Sequence, residues 1–285
     1  MKTCVILLVL VVWANAKEFD VRRQHPVVFP SRALPAVKKA SLPRALENGF
    51  KSAKAKITGG SSAALGQIPF HVSIESDETD FCNGAIIHPY YIVTTAYCVE
   101  GGSEFTIYAG VVKRHGDESS RVIVKSNETY IHVGRNQHNN DGNIALIKLP
   151  EGLRFNEYIS AALLPWNDDQ FVDDDAWISG WGSQDEGGAL APILQYAAVT
   201  VISNEDCGKA YGSDMQTSDI CTRAVKGLGE CDYDNGGPLF KNITEGASLL
   251  IGLSAFNAGC LTMAPDGFSR VSAYRDWINE HLQST

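Results

Sequence analysis

Residues 231–238 read Cys-Asp-Tyr-Asp-Asn-Gly-Gly-Pro, a short acidic segment that ends in two glycines and a proline. Two other segments are needed to interpret it, namely Thr-Thr-Ala-Tyr-Cys at 94–98 and Asn-Ile-Ala-Leu at 143–146. The polar residues on which the interpretation turns are Tyr97, Asn143 and Asn235. Together the three segments decide both the fold and the chemistry that the sequence predicts.

The three segments resemble the motifs that carry the catalytic residues of chymotrypsin-like serine proteases. Residues 231–238 are similar to C-x-G-D-S-G-G-P, residues 94–98 to T-A-A-H-C, and residues 143–146 to D-I-A-L. Asn235 then stands where the family has its serine nucleophile, Tyr97 where it has histidine, and Asn143 where it has aspartate. The resemblance covers residues 57–285 and includes the Ser-Gly-Trp-Gly motif at 179–182.

These replacements predict a chain that does not catalyse by the family's route. The carboxamide of Asn235 has no hydroxyl that could become the attacking alkoxide. Tyr97 is a poor base, because a phenol with a pKa near 10 is only about 0.1% ionised at pH 7. Asn143 cannot stabilise an imidazolium, and in a well-characterised active member of this family the same Asp→Asn change lowers turnover about 10⁴-fold.

Other side chains do not replace the missing ones in this interpretation. Tyr233 replaces the glycine whose backbone N–H contributes to the family's oxyanion hole, and a degenerate oxyanion hole is expected, since loss of one such donor typically costs about 10²–10³ in rate. A serine and three histidines remain available, but no pair of them lies at positions that the family brings within hydrogen-bonding distance. These four residues are Ser254, His88, His132 and His138. The acidic residues around the segment are not interpreted as a metal site, and neither a metal nor a cofactor is predicted.

The amino-terminal region predicts a secreted precursor. Residues 1–16 contain Lys2, an apolar run from Val5 to Trp13, and Ala-Asn-Ala at 14–16, which is the pattern of a signal peptide. Residues 17–56 form a basic, proline-containing prosegment, and residues 57–285 form the protease-like domain. No later apolar run is long enough to span a membrane. The predicted location is therefore extracellular.

Charge divides sharply between the prosegment and the domain. Residues 17–56 carry ten Lys or Arg and three acidic side chains, giving +7, whereas residues 57–285 carry 13 basic and 30 acidic side chains, giving −17. A domain of this charge repels nucleic acid and anionic lipid and favours basic partners. An acidic surface that only promotes solubility is the alternative.

The cysteines and two sequons are typical of a secreted glycoprotein. Removal of the signal leaves six cysteines, and an even number in a secreted chain predicts disulfides. Sequence alone allows 15 pairings of six cysteines. The resemblance implies Cys82–Cys98, Cys207–Cys221 and Cys231–Cys260. Asn127 and Asn242 begin glycosylation sequons.

The resemblance also implies activation by cleavage. Ile57-Thr-Gly-Gly60 is similar to the I-V-G-G amino terminus of activated family members, so a trypsin-like protease would cut after Lys56. Asp234 matches the aspartate that receives the new terminal ammonium of Ile57. We therefore expect that cleavage can still alter the conformation even though the catalytic residues are replaced. Simple inheritance of the Ile57–Asp234 pair is the alternative.

The substrate pocket implied by the resemblance combines Gly229 at the floor with Asp266 on the wall. This pairing resembles the brachyurin-type proteases of arthropods. Phe256 replaces the usual tryptophan of the neighbouring strand, while Ala255 and Asn257 stand where serine and glycine are usual. Asn257 is expected to crowd the strand on which a substrate backbone would pair.

The predicted fold is all-β, with two packed six-stranded β-barrels and a carboxy-terminal α-helix beginning near Ser272. Short strands separated by turn residues follow Ile57, and apolar residues recur at helical spacing from Val271 to Leu282. The predicted function is protein binding by an inactive protease homologue, as adaptor, cofactor or decoy in an extracellular protease cascade of innate immunity or haemostasis. The alternatives are a weak, unconventional hydrolase and a salivary or digestive secreted protein without a single target.

Overall fold

A computed structural model of the chain describes residues 60–77, 80–183, 188–225, 229–230, 233–244, 246–259 and 262–283. Within them, two antiparallel sheets account for nearly all regular structure. The first sheet consists of β2 His71–Ser76, β3 Asp80–His88, β4 Tyr91–Thr94, β5 Phe105–Ala109, β6 Val122–Ser126, β7 Glu128–Ile131 and β8 Ala145–Lys148. The second consists of β1 Ser61–Ser62, β9 Asp175–Gly180, β10 Gln195–Ile202, β11 Asp219–Thr222, β12 Pro238–Thr244, β13 Ala247–Phe256 and β14 Asp266–Arg270.

The two sheets differ in how they close. In the second sheet, the order β10-β11-β14-β13-β12-β9 returns to β10 through a β9–β10 pairing, which makes a closed six-stranded barrel with β1 added at β10. In the first sheet, the order β6-β5-β2-β3-β4-β8-β7 curls into a half-barrel. The predicted all-β class with a carboxy-terminal helix is confirmed.

Apolar residues inside and between the sheets form the core. Ile74, Ile86 and Ile92 are fully buried in the first sheet, and Ile178 and Leu239 in the second. Burying side chains of this size contributes about 1.5–3 kcal/mol each. Residues at the strand ends join the two halves. Phe70, just before β2, and Phe240 of β12 lie edge to face with 5.0 Å between ring centroids. The fully buried Trp181, just after β9, donates its indole N–H to Val112 O at 2.9 Å.

The described residues also include two short α-helices, α1 Asn204–Tyr211 and α2 Arg275–Leu282. Ser203 caps α1 by accepting a hydrogen bond from Asp206 N. The last α-helix does not begin near Ser272 as predicted, because Val271–Tyr274 first forms a 3₁₀ turn and α2 begins only at Arg275. Burial of Val271, Ser272 and Tyr274 holds that tighter turn against the core. Neither described helix is long and apolar enough to cross a membrane.

Candidate functional site

Tyr97 and Asn143 lie side by side at one end of the first sheet. Tyr97 belongs to the 3₁₀ turn Ala96–Cys98 that follows β4, and its side chain is 60% exposed. Asn143 is buried, and its Oδ1 accepts a hydrogen bond from Tyr97 N at 3.1 Å. Its Nδ2 donates to Asn140 Oδ1 at 2.7 Å. The backbone carbonyl of Asn143 accepts a hydrogen bond from Ser269 Oγ at 2.7 Å. The carboxamide is thus held by fixed partners on both sides.

Asn235 lies in a tight turn just before β12. Gly237 N donates to Asp234 O at 2.8 Å within the turn. Gly236 N donates to Ser254 O of β13 at 2.9 Å, so the barrel of the second sheet fixes one side of the turn. Asn83 N, in β3 of the first sheet, donates to Asn235 O at 2.9 Å. The turn therefore bridges the two sheets.

The structure brings Tyr97, Tyr233 and Asn235 to one groove. The groove has a volume of about 950 Å³ and extends past Phe81 and the Cys82–Cys98 disulfide. Four acidic side chains also line it, together with Arg114 and His115; the acids are Glu75, Asp77, Asp80 and Glu100. Tyr97, Tyr233 and Asn235 contribute two phenols and a carboxamide to its lining, groups that donate and accept hydrogen bonds.

Tyr233 adopts a backbone conformation that favours glycine. Its φ is +71°, in the left-handed region, and its side chain is 46% exposed. For a residue with a Cβ atom this conformation costs roughly 1–2 kcal/mol. The turn therefore keeps a glycine-like backbone while carrying a tyrosine. Because tyrosine retains a backbone N–H, the replacement of glycine does not by itself remove the expected oxyanion donor.

Relief of this strain gives a testable prediction. Tyr233→Gly is expected to raise the free energy of unfolding by about 0.5–1 kcal/mol, because the removed strain exceeds the added flexibility of the unfolded chain. The measurement is urea unfolding. Tyr97→Gly is the matched control: Tyr97 is an exposed tyrosine of the same groove without positive φ, so its replacement should destabilise. A loss of stability in both variants would contradict the strain assignment.

Asp234 is buried beneath the turn and packs against the Ser-Gly-Trp-Gly segment. Its Oδ1 accepts a hydrogen bond from Gly182 N at 2.9 Å. A Cβ atom built on Gly180 would lie 2.0 Å from the same oxygen, so only glycine fits there. Lys56 and Ile57, the predicted cleavage site, lie outside the described residues, and so the predicted Ile57–Asp234 pair stays a prediction.

The implied substrate pocket contains a second carboxylic acid that the sequence interpretation did not use. Asp266 Oδ2 accepts a hydrogen bond from Glu230 N at 3.0 Å, and a Cβ on Gly229 would lie 2.7 Å from the same oxygen. Glu230 is buried, and its carboxylate accepts a hydrogen bond from the Ser254 hydroxyl. Gly229 thus leaves room for Asp266, as the brachyurin resemblance implies.

Burial dominates the electrostatics of this pocket. It raises the pKa of Asp266 to about 6, opposed by the hydrogen bond from Glu230 N. Burial, with added repulsion from Asp266 and Asp234, raises the pKa of Glu230 well above its usual range. Burial, followed by the charge of Asp266, raises the pKa of nearby Tyr211 to about 12. The pocket therefore holds acids whose ionisation is unfavourable unless a cation compensates.

The strand beside the pocket is shaped by an aromatic contact. The Phe256 ring lies 5.0 Å from the Tyr211 ring in edge-to-face geometry, and a Cβ on Gly267 would lie 2.2 Å from the Phe256 ring. Ala255 and Phe256 end β13. Asn257 follows the strand, and its Oδ1 accepts a hydrogen bond from Gly259 N at 2.9 Å.

The disulfides and the sequons can be placed in part. Cys82–Cys98 and Cys207–Cys221 are bonded as the resemblance implies, with Cα–Cα distances of 5.9 and 6.2 Å. Cys231 and Cys260 lie outside the described residues. Asn127 and Asn242 are both exposed, Asn127 between β6 and β7 and Asn242 within β12.

Two residues behind the groove were missed by the sequence interpretation. His71 and Asn83 are buried in β2 and β3, and their side chains are hydrogen-bonded to each other at 3.1 Å. Asn83 Nδ2 donates to Tyr233 O at 2.9 Å. No local motif marks either residue, since their partners lie 108 and 150 positions away in sequence.

Comparisons of the sequence and of the fold with known proteins find similarity to the same group of proteins. A family model described as trypsin matches residues 57–278. Brachyurin of Leptuca pugilator is 31% identical over 225 residues, which cover 78% of this chain and 96% of that protein. Serine protease 1 of Drosophila melanogaster is 31% identical over 239 residues, covering 81% of this chain and 88% of the relative. A solved structure titled HL collagenase superposes with a TM-score of 0.71 at 30% identity, over 80% of this chain and 99% of that one.

Proposed function

Because this chain belongs to the trypsin family of chymotrypsin-like serine proteases, we propose that it is a secreted, catalytically inactive member that acts by binding protein. The observation that carries the proposal is Asn235, which occupies the position of the family's serine and lines the groove. The family is one of serine endopeptidases, and its covalent chemistry begins with a hydroxyl at this position. Asn235 offers a carboxamide instead.

The surroundings of Asn235 support the loss of catalysis. Tyr97 is exposed and presents a phenol where the family presents an imidazole base. Asn143 directs its Oδ1 at Tyr97 N and its Nδ2 at Asn140, so it brings no negative charge to the groove. Restoration of any one residue leaves the other two unable to activate a nucleophile, because the members of a triad act as a unit.

The groove is better suited to recognition. Two exposed tyrosines, Tyr97 and Tyr233, lie on a rigid scaffold, and tyrosine is among the residue types that contribute most to binding energy in protein interfaces. The net charge of −17 on residues 57–285 favours a partner with a basic surface and disfavours nucleic acid. The proposed partners are extracellular proteins, such as components of a protease cascade.

The amino-terminal residues support secretion and regulation. Residues 1–16 have the composition of a signal peptide. A trypsin-like protease acting after Lys56 would release the domain that begins at Ile57. Asp234 is buried in the groove turn, the turn at residues 233–237 that carries Asn235. An ion pair between Asp234 and the new terminal ammonium would therefore couple cleavage to the shape of this turn.

Capture from the native secretion or plasma tests the proposal. The form beginning at Ile57 is expected to bind one partner saturably, and more tightly than the uncut form beginning at Lys17. Tyr97→Ala should weaken this binding about 30-fold or more, the effect of losing a contact worth about 2 kcal/mol. The measurement is an immobilised-domain titration with the captured protein.

Tyr90→Ala is the matched control, because Tyr90 is also an exposed tyrosine but does not line the groove. Equal losses for the two variants would contradict binding through the groove. Absence of any saturable partner for either form would favour a secreted protein without a single target.

A further inference from the structure

Asn83 joins the groove turn to the first sheet through its backbone. Its N–H donates to Asn235 O at 2.9 Å, and its carbonyl accepts from the Thr94 hydroxyl at 2.7 Å. Gly236 packs onto this contact so closely that a Cβ there would lie 2.1 Å from Asn83 O. Asn83 is fully buried, so water does not compete for these bonds.

The side chain of Asn83 reaches the same turn. Its Nδ2 donates to Tyr233 O at 2.9 Å and also lies 3.4 Å from Asn235 O. Because both of these acceptors are carbonyls, the amide nitrogen must face the turn, and Oδ1 must face away from it. The orientation of the carboxamide is therefore fixed by its partners.

His71 completes the arrangement from the other side. Its Nε2 lies 3.1 Å from Asn83 Oδ1, which can only accept, so Nε2 carries the proton. Its Nδ1 then accepts from the Ser179 hydroxyl at 2.8 Å. The donors and acceptors form one directed chain that runs from the Ser179 hydroxyl through His71 and Asn83 to the Tyr233 carbonyl.

This chain of hydrogen bonds ends at the residue whose backbone is strained. Tyr233 has a φ of +71°, and no side chain other than that of Asn83 donates to its carbonyl among the described residues. A strained conformation persists only where the surroundings determine it. The bond from Asn83 to Tyr233 O is suited to this role, since it fixes the peptide group that follows Tyr233.

We propose that Asn83, oriented by His71, is a positioning residue that holds residues 233–236 in the shape needed by the binding groove. The inference rests on the proposed binding function, because it assigns Asn83 a role in presenting Tyr233 and Asn235 to a partner. Both positioning residues lie in the first sheet, whereas the turn belongs to the second. The shape of the groove is thus set across the boundary between the two sheets.

Amide hydrogen exchange of the full-length chain, followed by mass spectrometry, tests the proposal without a partner. The amide of Gly236 donates to Ser254 O of β13 and that of Gly237 donates to Asp234 O within the turn, so the exchange of both amides reports opening of the turn. Asn83→Gly retains the backbone bonds and removes the carboxamide, and it is expected to speed exchange in residues 233–237 at least tenfold. Exchange in β12 and β13 should stay unchanged, which distinguishes positioning from general destabilisation.

His71→Gln and His71→Leu form a matched pair. A glutamine amide can donate to Asn83 Oδ1 and its carbonyl can accept from Ser179, so His71→Gln should restore wild-type exchange in the turn. Leucine can do neither, so His71→Leu should resemble Asn83→Gly. Unchanged turn exchange in Asn83→Gly, or equal exchange in the glutamine and leucine variants, would overturn the proposal.

A second measurement relates the turn to binding. With the partner captured by the wild-type domain, Asn83→Gly is expected to lower affinity about tenfold, and His71→Gln to leave it unchanged. Faster turn exchange with undiminished affinity would overturn the assigned role in the groove. The exchange experiment needs no partner. Failure to capture a partner would therefore contradict the proposed function, whereas the role of Asn83 in holding the turn would still be decided by the exchange rates.

Discussion

Restoring the family's catalytic residues is expected to raise peptidase activity at least about 10³-fold over the wild-type chain. The variant carries Asn235→Ser, Tyr97→His, Asn143→Asp and Tyr233→Gly, in the form that begins at Ile57. A complete triad contributes about 2 × 10⁶ to turnover in a well-characterised serine protease. We expect much less here, because Ala255 and Asn257 remain beside the substrate strand. The measurement is kcat/KM on a mixed library of fluorogenic peptides.

The geometry of the groove makes this expectation specific. Asn143 already accepts a hydrogen bond from Tyr97 N at 3.1 Å, so an aspartate there would lie next to the restored histidine. Asn235 is half-buried on a turn that both sheets hold in place. A serine at that position would face the groove that Tyr97 also lines.

The control variant carries the same changes except Asn235→Ser. It has a base and an orienting carboxylate but no nucleophile, so its activity should stay at the wild-type background. Activity in this control would mean that another residue serves as nucleophile and would contradict the proposed loss of catalysis. A folded but inactive four-residue variant would show instead that the groove no longer accepts a substrate.

The fold could be predicted from the sequence where apolar residues form short continuous runs. β4 and β8 each contain such a run, Tyr-Ile-Val and Ala-Leu-Ile, whereas β2 alternates apolar and polar residues over His71–Ser76. β7, β11 and β14 cannot be predicted in this way, because each mixes polar and apolar residues and is held in place by its neighbours. In β11, for example, Asp219 and Thr222 pair with Ser269 and Asp266 of β14. Strands of this kind depend on tertiary pairing more than on local preference.

The site was predictable only to the extent that motifs mark it. Residues 94–98, 143–146 and 231–238 led to Tyr97, Asn143 and Asn235, and the structure brings the first two into direct contact. Glu230, His71 and Asn83 carry no such mark. Their roles arise from hydrogen bonds between residues far apart in sequence, as in the pair formed by Ser254 and Glu230. A single sequence does not encode those pairs in any local pattern.

His71 gives the second large expected effect, a dependence of stability on pH that glutamine should remove. Burial lowers the pKa of His71 to about 3, opposed by its hydrogen bond to Asn83. In the unfolded chain the pKa of histidine is about 6.5. Between these values the unfolded state binds a proton that the folded state does not. Stability from this group is therefore fully present above about pH 6.5 and falls as pH decreases toward 3.

The expected magnitude follows from the gap between the two pKa values. Each pH unit within that window costs about 1.4 kcal/mol, so at pH 4 the wild type should have lost about 3 kcal/mol relative to pH 7.5 through His71 alone. His71→Gln lacks this contribution. The difference in unfolding free energy between His71→Gln and the wild type should therefore shift by about 3 kcal/mol in favour of glutamine between pH 7.5 and pH 4.

Comparison of the two chains isolates the histidine from acids that titrate in the same range. Burial raises the pKa of Asp219 to about 7 and that of Asp266 to about 6. A carboxyl group with a raised pKa gains stability as pH falls, which opposes the effect of His71. Both acids are present in the wild type and in the variant, so their contributions cancel in the difference. His138→Gln, on an exposed loop, controls for removal of an imidazole as such.

Protonation of His71 should act on the groove before the domain unfolds. Within the part of the chain that the structure describes, the hydrogen-bond and aromatic partners of its ring are the Ser179 hydroxyl, the Asn83 carboxamide and Trp181, whose ring centroid lies 4.9 Å away. None of these three carries a charge, and the carboxylate of the adjoining segment, Asp234, already accepts from Gly182 N. A second ring proton would remove the acceptor for Ser179 and place a positive charge beside Asn83. Exchange in residues 233–237 should then quicken in the wild type as pH falls to about 3, where the folded state takes up this proton, and stay slow in His71→Gln, after correction for intrinsic rates. Equal pH dependence in the two chains would contradict a neutral, buried His71.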